Sequence, residues 1–188
     1  MRSLSSLLLF ALLACLTTGS GAASCIEDRE RLLSLDVSSF DQDLDGGWRR
    51  VAAMPHCREA AADLIEEYRS RRDERDITLI FHEAQVRAGL GQTERAIALF
   101  EQTRKSPERD SFGWNHYVEA TIAFPKRDRE ALERSRDALA GLEAPEDFRP
   151  VDQAGNELDI SWPPNLEVVD GFLKCFNRPY SAAYGCRD

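Results

Sequence analysis

Histidine is scarce in this chain, with only His56, His82 and His116 among 188 residues, and no Cys-x-x-Cys pair occurs. Clustered soft ligands for a zinc-type site are therefore missing. His82-Glu83 opens like a zincin helix, but the position four residues after His82 is Val86, so the second imidazole is absent. There is no Gly-x-Ser-x-Gly elbow and no glycine-rich phosphate loop. Carboxylates are plentiful, yet nothing in their spacing marks one pair as an acid and base. The expectation is a protein that is not an enzyme and uses no cofactor or metal. Basic charge is also in deficit: 24 Lys and Arg against 33 Asp and Glu leave a net −9. That balance argues against nucleic acid, whose affinity comes from neutralised phosphates, and against anionic lipid surfaces. The longest apolar run, residues 7–16, is ten residues long, too short to span a bilayer.

That run (LLLFALLACL) follows a short basic start at Arg2 and precedes a small-residue stretch ending at Ala22-Ala23-Ser24. The pattern predicts a signal peptide over residues 1–23, cleaved after Ala23 or Ser24, and a periplasmic or secreted protein. The rival reading takes Leu12-Leu13-Ala14-Cys15 as a lipobox. Cys15 would then carry a lipid and make the protein a membrane-anchored lipoprotein. Either way Cys25, Cys57, Cys175 and Cys186 remain, an even set that in an exported chain predicts two disulfides. Of three connectivities, Cys25–Cys57 and Cys175–Cys186 join the pairs closest in sequence.

With 43% hydrophobic and 30% charged residues, residues 24–188 suit a single domain. Apolar positions recur at helical spacing over 56–72, 77–88, 93–106, 110–124, 128–142 and 165–176. Thr93 and Asp128 are the expected N-caps of two of these helices, and Gly89-Leu90-Gly91 is a glycine-type stop. Residues 144–162 read as loop with a short extended piece near Leu158 and Ile160. Strand-like alternation is rare, so the fold class is all-α.

An internal echo organises the middle of the chain. Glu83-Ala84-Gln85-Val86 returns thirty-six residues later as Glu119-Ala120-Thr121-Ile122, each followed by a polar turn and a helix opening at Ala96 or Ala131. Ala84, Gly91, Ala96 and Phe100 carry the small–Gly–Ala–aromatic spacing of one unit, and Pro107 closes it. This pattern resembles a tetratricopeptide repeat, over about 77–145. The second unit departs from it, with Arg127-Asp128 at the turn and Ser135 at the aromatic position. The resemblance implies a short α-solenoid of helical hairpins with flanking helices. It also implies a concave groove that takes a peptide or partner chain, lined here by Phe81, Gln85, Trp114, Tyr117 and Thr121. Trp114, Tyr117 and Thr121 share one helix face, which suits either ligand contact or core. Residues 165–176 carry the apolar face a capping helix needs.

Asp41, Asp43, Asp45 and Gly46 copy the opening of an EF-hand loop, but Ala52 stands where the bidentate acid belongs. The reading is a plain acidic turn before a helix that begins near Trp48, with a weak calcium site completed from elsewhere as the alternative. Together these readings point to an exported, non-catalytic adaptor of the bacterial envelope that binds another envelope or secreted protein, a basic one by charge. The alternative is a periplasmic immunity or inhibitor protein that neutralises a secreted hydrolase.

Overall fold

In the computed structural model, residues 25–110, 112–151 and 155–187 are described. The export segment expected at 1–23, with Cys15, lies outside them. The described residues form nine α-helices and no strand, so the chain is all-α. α1 (Arg29–Ser34), a π-helical turn (Ser38–Gln42), α2 (Gly47–Ala53) and α3 (Arg58–Arg72) build the N-terminal part. Two hairpins follow, α4 (Ile77–Gly89) with α5 (Thr93–Gln102) and α6 (Trp114–Ala123) with α7 (Arg129–Ala140). Then come α8 (Leu166–Lys174) and α9 (Tyr180–Tyr184). Between α7 and α8 a single antiparallel bridge pairs Val151 with Glu157.

Local chemistry sets most boundaries. Asp76 caps α4 by accepting from the N–H groups of Thr78 and Leu79, at 2.8 and 3.0 Å. α4 ends where Gly91 takes φ +77°, a left-handed conformation a side chain would strain, and the Gln92 N–H closes back on the Arg87 carbonyl. Asp128 caps α7 through the Ala131 N–H at 2.9 Å. Thr93 is not a cap: it is the first helical residue, and Gln92 holds the cap position without a side-chain bond.

The periodicity of 93–106 predicts a helix four residues longer than α5. Tertiary partners take those residues instead. Asn115 accepts from the Lys105 N–H and donates to its carbonyl, both at 2.8 Å, and Trp114 Nε1 donates to the Thr103 carbonyl at 2.7 Å. Those bonds use the backbone groups that a continued helix would need.

Helices follow one another in space, so the structure is a stack. Within the hairpins the helices run antiparallel: Phe81 in the first half of α4 meets Phe100 near the end of α5, with centroids 4.8 Å apart. A Cβ on Gly113, just before α6, would sit 2.4 Å from Leu142 and 2.7 Å from Leu139, beyond and near the end of α7. α4 is the shared wall of two cores. Leu79 packs with Phe40, Trp48, Leu64 and Tyr68, while Ile80, Phe81, Ala84 and Ala88 pack with the α5–α9 side. The last helix, α9, returns across the stack to α4 and α8.

Two disulfides clamp the ends, Cys25–Cys57 with Cα atoms 5.5 Å apart and Cys175–Cys186 at 6.3 Å, the pairing expected from sequence. They suit an oxidising compartment. Among the described residues no helix is long and apolar enough to cross a membrane.

Candidate functional site

The five residues expected to line a groove have different fates. Phe81, Tyr117 and Thr121 are buried. Phe81 lies under Trp114 and Tyr117, with centroids 4.8 and 5.2 Å away, and Thr121 Oγ1 donates to the Tyr117 carbonyl at 2.8 Å. Burial, followed by the neighbouring Tyr184 and Tyr180, pushes the Tyr117 phenol well above its ordinary value. As placed, these three offer a partner no surface. α9 lies beside Tyr117, whose phenol feels Tyr184 and Tyr180. Tyr180 also stands 6.4 Å from Phe100, 6.1 Å from Phe124 and 5.5 Å from Phe172, with Ala183 fully buried. A helix of five residues packs into the space on this side of the stack. The capping segment is thus α9 together with α8, whereas the sequence pattern points only to 165–176.

Gln85 and Trp114 remain partly accessible, on opposite flanks of this plug. Trp114 opens onto a hollow of about 540 Å³ bordered by Phe112, Pro145, Phe148, Pro150 and Ile160. Phe112, Phe148 and Trp162 form an aromatic trio there, with Phe148 and Trp162 centroids 4.9 Å apart and Phe112 5.9 Å from Trp162. Lys105 lies 5.3 Å over the Trp114 ring, and Asp147 and Arg149 stand at the rim. An aromatic centre with a mixed-charge edge is the anatomy of a protein contact surface. Of the loop aromatics here, Phe112 falls within the stretch 110–124 read as helix, though α6 starts only at Trp114. Phe148 and Trp162 are not flagged by helical periodicity. The signal available in sequence is the proline-flanked Phe148-Arg149-Pro150 and Trp162-Pro163-Pro164.

Gln85 opens onto a cleft of about 380 Å³ between α2, α4 and α9, whose walls include Trp48, Arg49, Arg58, Tyr180 and Tyr184. Its back is held by a buried polar cluster. Asp41 is 1% exposed and accepts from Trp48 Nε1 at 2.8 Å, and His82 Nδ1 lies 2.7 Å from the same oxygen. Arg49 Nε donates to the Asp41 carbonyl at 3.0 Å. Burial pushes the Asp41 carboxyl up, but bonds from His82 and Trp48 and the Arg49 charge outweigh it and hold it below the usual carboxylate range.

The three acids of the calcium-like spacing do not converge in the structure. Asp41 faces inward to Trp48 and His82, Asp43 and Asp45 are exposed, and among the described residues no three His, Cys, Asp or Glu side chains converge to hold a metal. His82 and His116, equivalent in the echo, do not share a role: His82 is tied to Asp41, and His116 lies beside the Gly113 turn.

A second buried cluster joins α3, α4 and α5. Glu83 and Arg87 are 1% and 0% exposed. Arg87 donates to Glu83 at 2.9 Å, to Gln92 at 2.9 Å and to Asp63 at 3.2 Å, while Arg69 reaches the other Glu83 oxygen. Every charge in it is answered within the fold, so it serves structure. Compared with family models, with curated proteins and with solved structures, the chain matches none.

Proposed function

We propose that this chain is an exported, non-catalytic protein-binding module of the envelope, built as a short tetratricopeptide-like stack. Its contact surface is the hollow beside Trp114. One observation carries the reading. Four large apolar residues are left in solvent on this one side: Phe112 at 47%, Val151 at 52%, Leu158 at 42% and Ile160 at 42% exposed. They are neighbours, because the Leu158 N–H donates to the Pro150 carbonyl and Val151 bridges Glu157, while Phe112 and Ile160 border the hollow. Monomeric surfaces rarely gather apolar groups this way unless a partner covers them. Export is supported by the apolar run at 7–16 and by the disulfides. The net −9 charge favours a basic partner by steering encounter.

The test is retention of envelope proteins from the source organism on the immobilised, oxidised chain, compared with a Phe112→Ser, Ile160→Ser variant of equal melting temperature. The expected result is one protein held by the native chain and lost by the variant. Equal retention by both would refute the assignment of this surface. If the retained protein is a secreted hydrolase that loses activity on binding, the module is an immunity or inhibitor protein.

A further inference from the structure

We infer that the cleft between α2, α4 and α9 binds an acidic side chain carried on an apolar peptide segment of a partner protein. This site lies on the other flank of α9 from the Trp114 hollow and does not depend on it.

Charge singles out this cleft. In a chain with 33 acidic and 24 basic residues, the walls of this cleft contain two arginines and no carboxylate. With the Asp41 anion 4.0 Å from Arg49, the two arginines leave one positive charge in excess at this cleft, and that local excess favours a negative group.

Both arginines have donors left to give. Arg49 is pinned: its Nε is engaged by the Asp41 carbonyl, and its guanidinium lies 4.4 Å over the Trp48 ring. Its nearest carboxylate oxygen, on Asp41, stands 4.0 Å away and already serves Trp48 and His82. The terminal N–H groups of Arg49 therefore keep donors to spare in a preset orientation. Arg58 is exposed and makes no ion pair among the described residues, whereas Arg69, Arg71, Arg87 and Arg95 nearby are all paired. It opens α3, where the partial positive charge of a helix N-terminus repels a cation, and an anion would relieve that repulsion.

Shape adds to this. The lining is mostly apolar, with Trp48 and Tyr180 buried and the small Ala52 and Gly89 beside them. A volume of about 380 Å³ accepts an apolar side chain and its neighbour but not a folded element. Arg49 and Arg58 then meet a carboxylate at one edge, and the Gln85 amide is available to the peptide backbone.

The experiment titrates the full oxidised chain, labelled with ¹⁵N, with the probe acetyl-Phe-Glu-Leu-amide and with its counterpart carrying Gln for Glu. The expected result is saturable shifts at the amides of Arg49, Gln85, Gly89 and Ser181. The Gln peptide should bind about tenfold more weakly or worse. Arg58→Gln, an exposed change that leaves folding intact, should weaken the Glu peptide by a similar factor and leave the Gln peptide unaffected. Equal affinity for both peptides, unchanged affinity in Arg58→Gln, or shifts confined to other surfaces would overturn the inference. So would the absence of saturable shifts up to about 10 mM peptide.

Discussion

The Nδ1 atom of His82 on α4 lies 2.7 Å from the Oδ1 atom of Asp41 in the π-helical turn, and this contact ties the N-terminal segment to the central helix of the stack. Trp48 Nε1 donates to the same oxygen at 2.8 Å, and Gln42 donates to the other. One buried carboxylate thereby fixes the turn, the start of α2 and the back of the cleft at once.

Replacing Asp41 with Ala is expected to destabilise the protein by about 3–5 kcal/mol, because the Trp48 N–H and the His82 ring lose a buried acceptor. The pH dependence follows from the lowered folded pKa. With the folded value below the unfolded one, this carboxylate contributes its full stabilisation above about pH 4 and loses it as the pH falls through the folded value. Glu67, held low mainly by the Arg29 hydrogen bond, acts in the same direction. Chemical denaturation between pH 2 and 7 should show a shallower acid loss in Asp41→Ala than in the native chain. Parallel curves would contradict this.

The Glu83–Arg87 pair is expected to be costly to break and cheap to replace. Glu83→Ala should cost about 3–5 kcal/mol, since it strands Arg87 and Arg69 in the interior. A joint Glu83→Leu, Arg87→Met, Arg69→Met change removes the three linked charges together and should recover most of that loss. A double-mutant cycle in urea measures the coupling, and additive single effects would show that the two side chains act independently.

Two glycines should respond in opposite ways. A Cβ on Gly171 would sit 2.8 Å from the Cys186 carbonyl oxygen and 3.0 Å from that of Ala183, both backbone atoms, so α9 must move. Gly171→Ala is expected to cost about 1–3 kcal/mol. A Cβ on Gly89 meets nothing nearer than Ser181 at 4.0 Å, so Gly89→Ala should be neutral or stabilise by up to about 1 kcal/mol. Thermal melts of the two variants decide the matter.

Much of this architecture is legible in the sequence because it rests on local signals. α3, α4, α5 and α7 announce themselves through amphipathic spacing, the Asp128 cap and the Gly91 stop. The disulfide pairing follows from proximity in the chain. The echo at Ala84 and Ala120 holds in burial, both being fully enclosed, but not in chemistry: Glu83 is sealed with Arg87 while Glu119 is half-exposed and paired with Arg104. Other features are set by tertiary contacts that no local pattern encodes. α1 and α9 span six and five residues, too few for a helical period to register. The stripe of Trp114, Tyr117 and Thr121 fits a groove or a core equally, and only the return of α9 decides between them. The spacing of Asp41, Asp43 and Asp45 is that of a calcium loop, yet Trp48, seven residues on, and His82, forty-one residues on, claim the first carboxylate.

Holding α9 in place should depend on the Cys175–Cys186 bond, which closes an eleven-residue separation. A Cys175→Ser, Cys186→Ser variant is expected to lose about 2–4 kcal/mol and to exchange its α9 amides faster than those of α4. Uniform exchange across both helices would mean that α9 docks without the staple.

The proposal that recognition lies on the flanks rests on α9 covering the face of Tyr117 and Phe100. Nuclear Overhauser contacts from the Tyr180 ring test it most directly. Cross-peaks to the rings of Phe100, Phe124 and Phe172 are the expected result, from centroid separations of 6.4, 6.1 and 5.5 Å. A Tyr180 ring without those cross-peaks, in a chain whose Phe81–Phe100 contact persists, would contradict the account and return Phe81, Tyr117 and Thr121 to the binding surface.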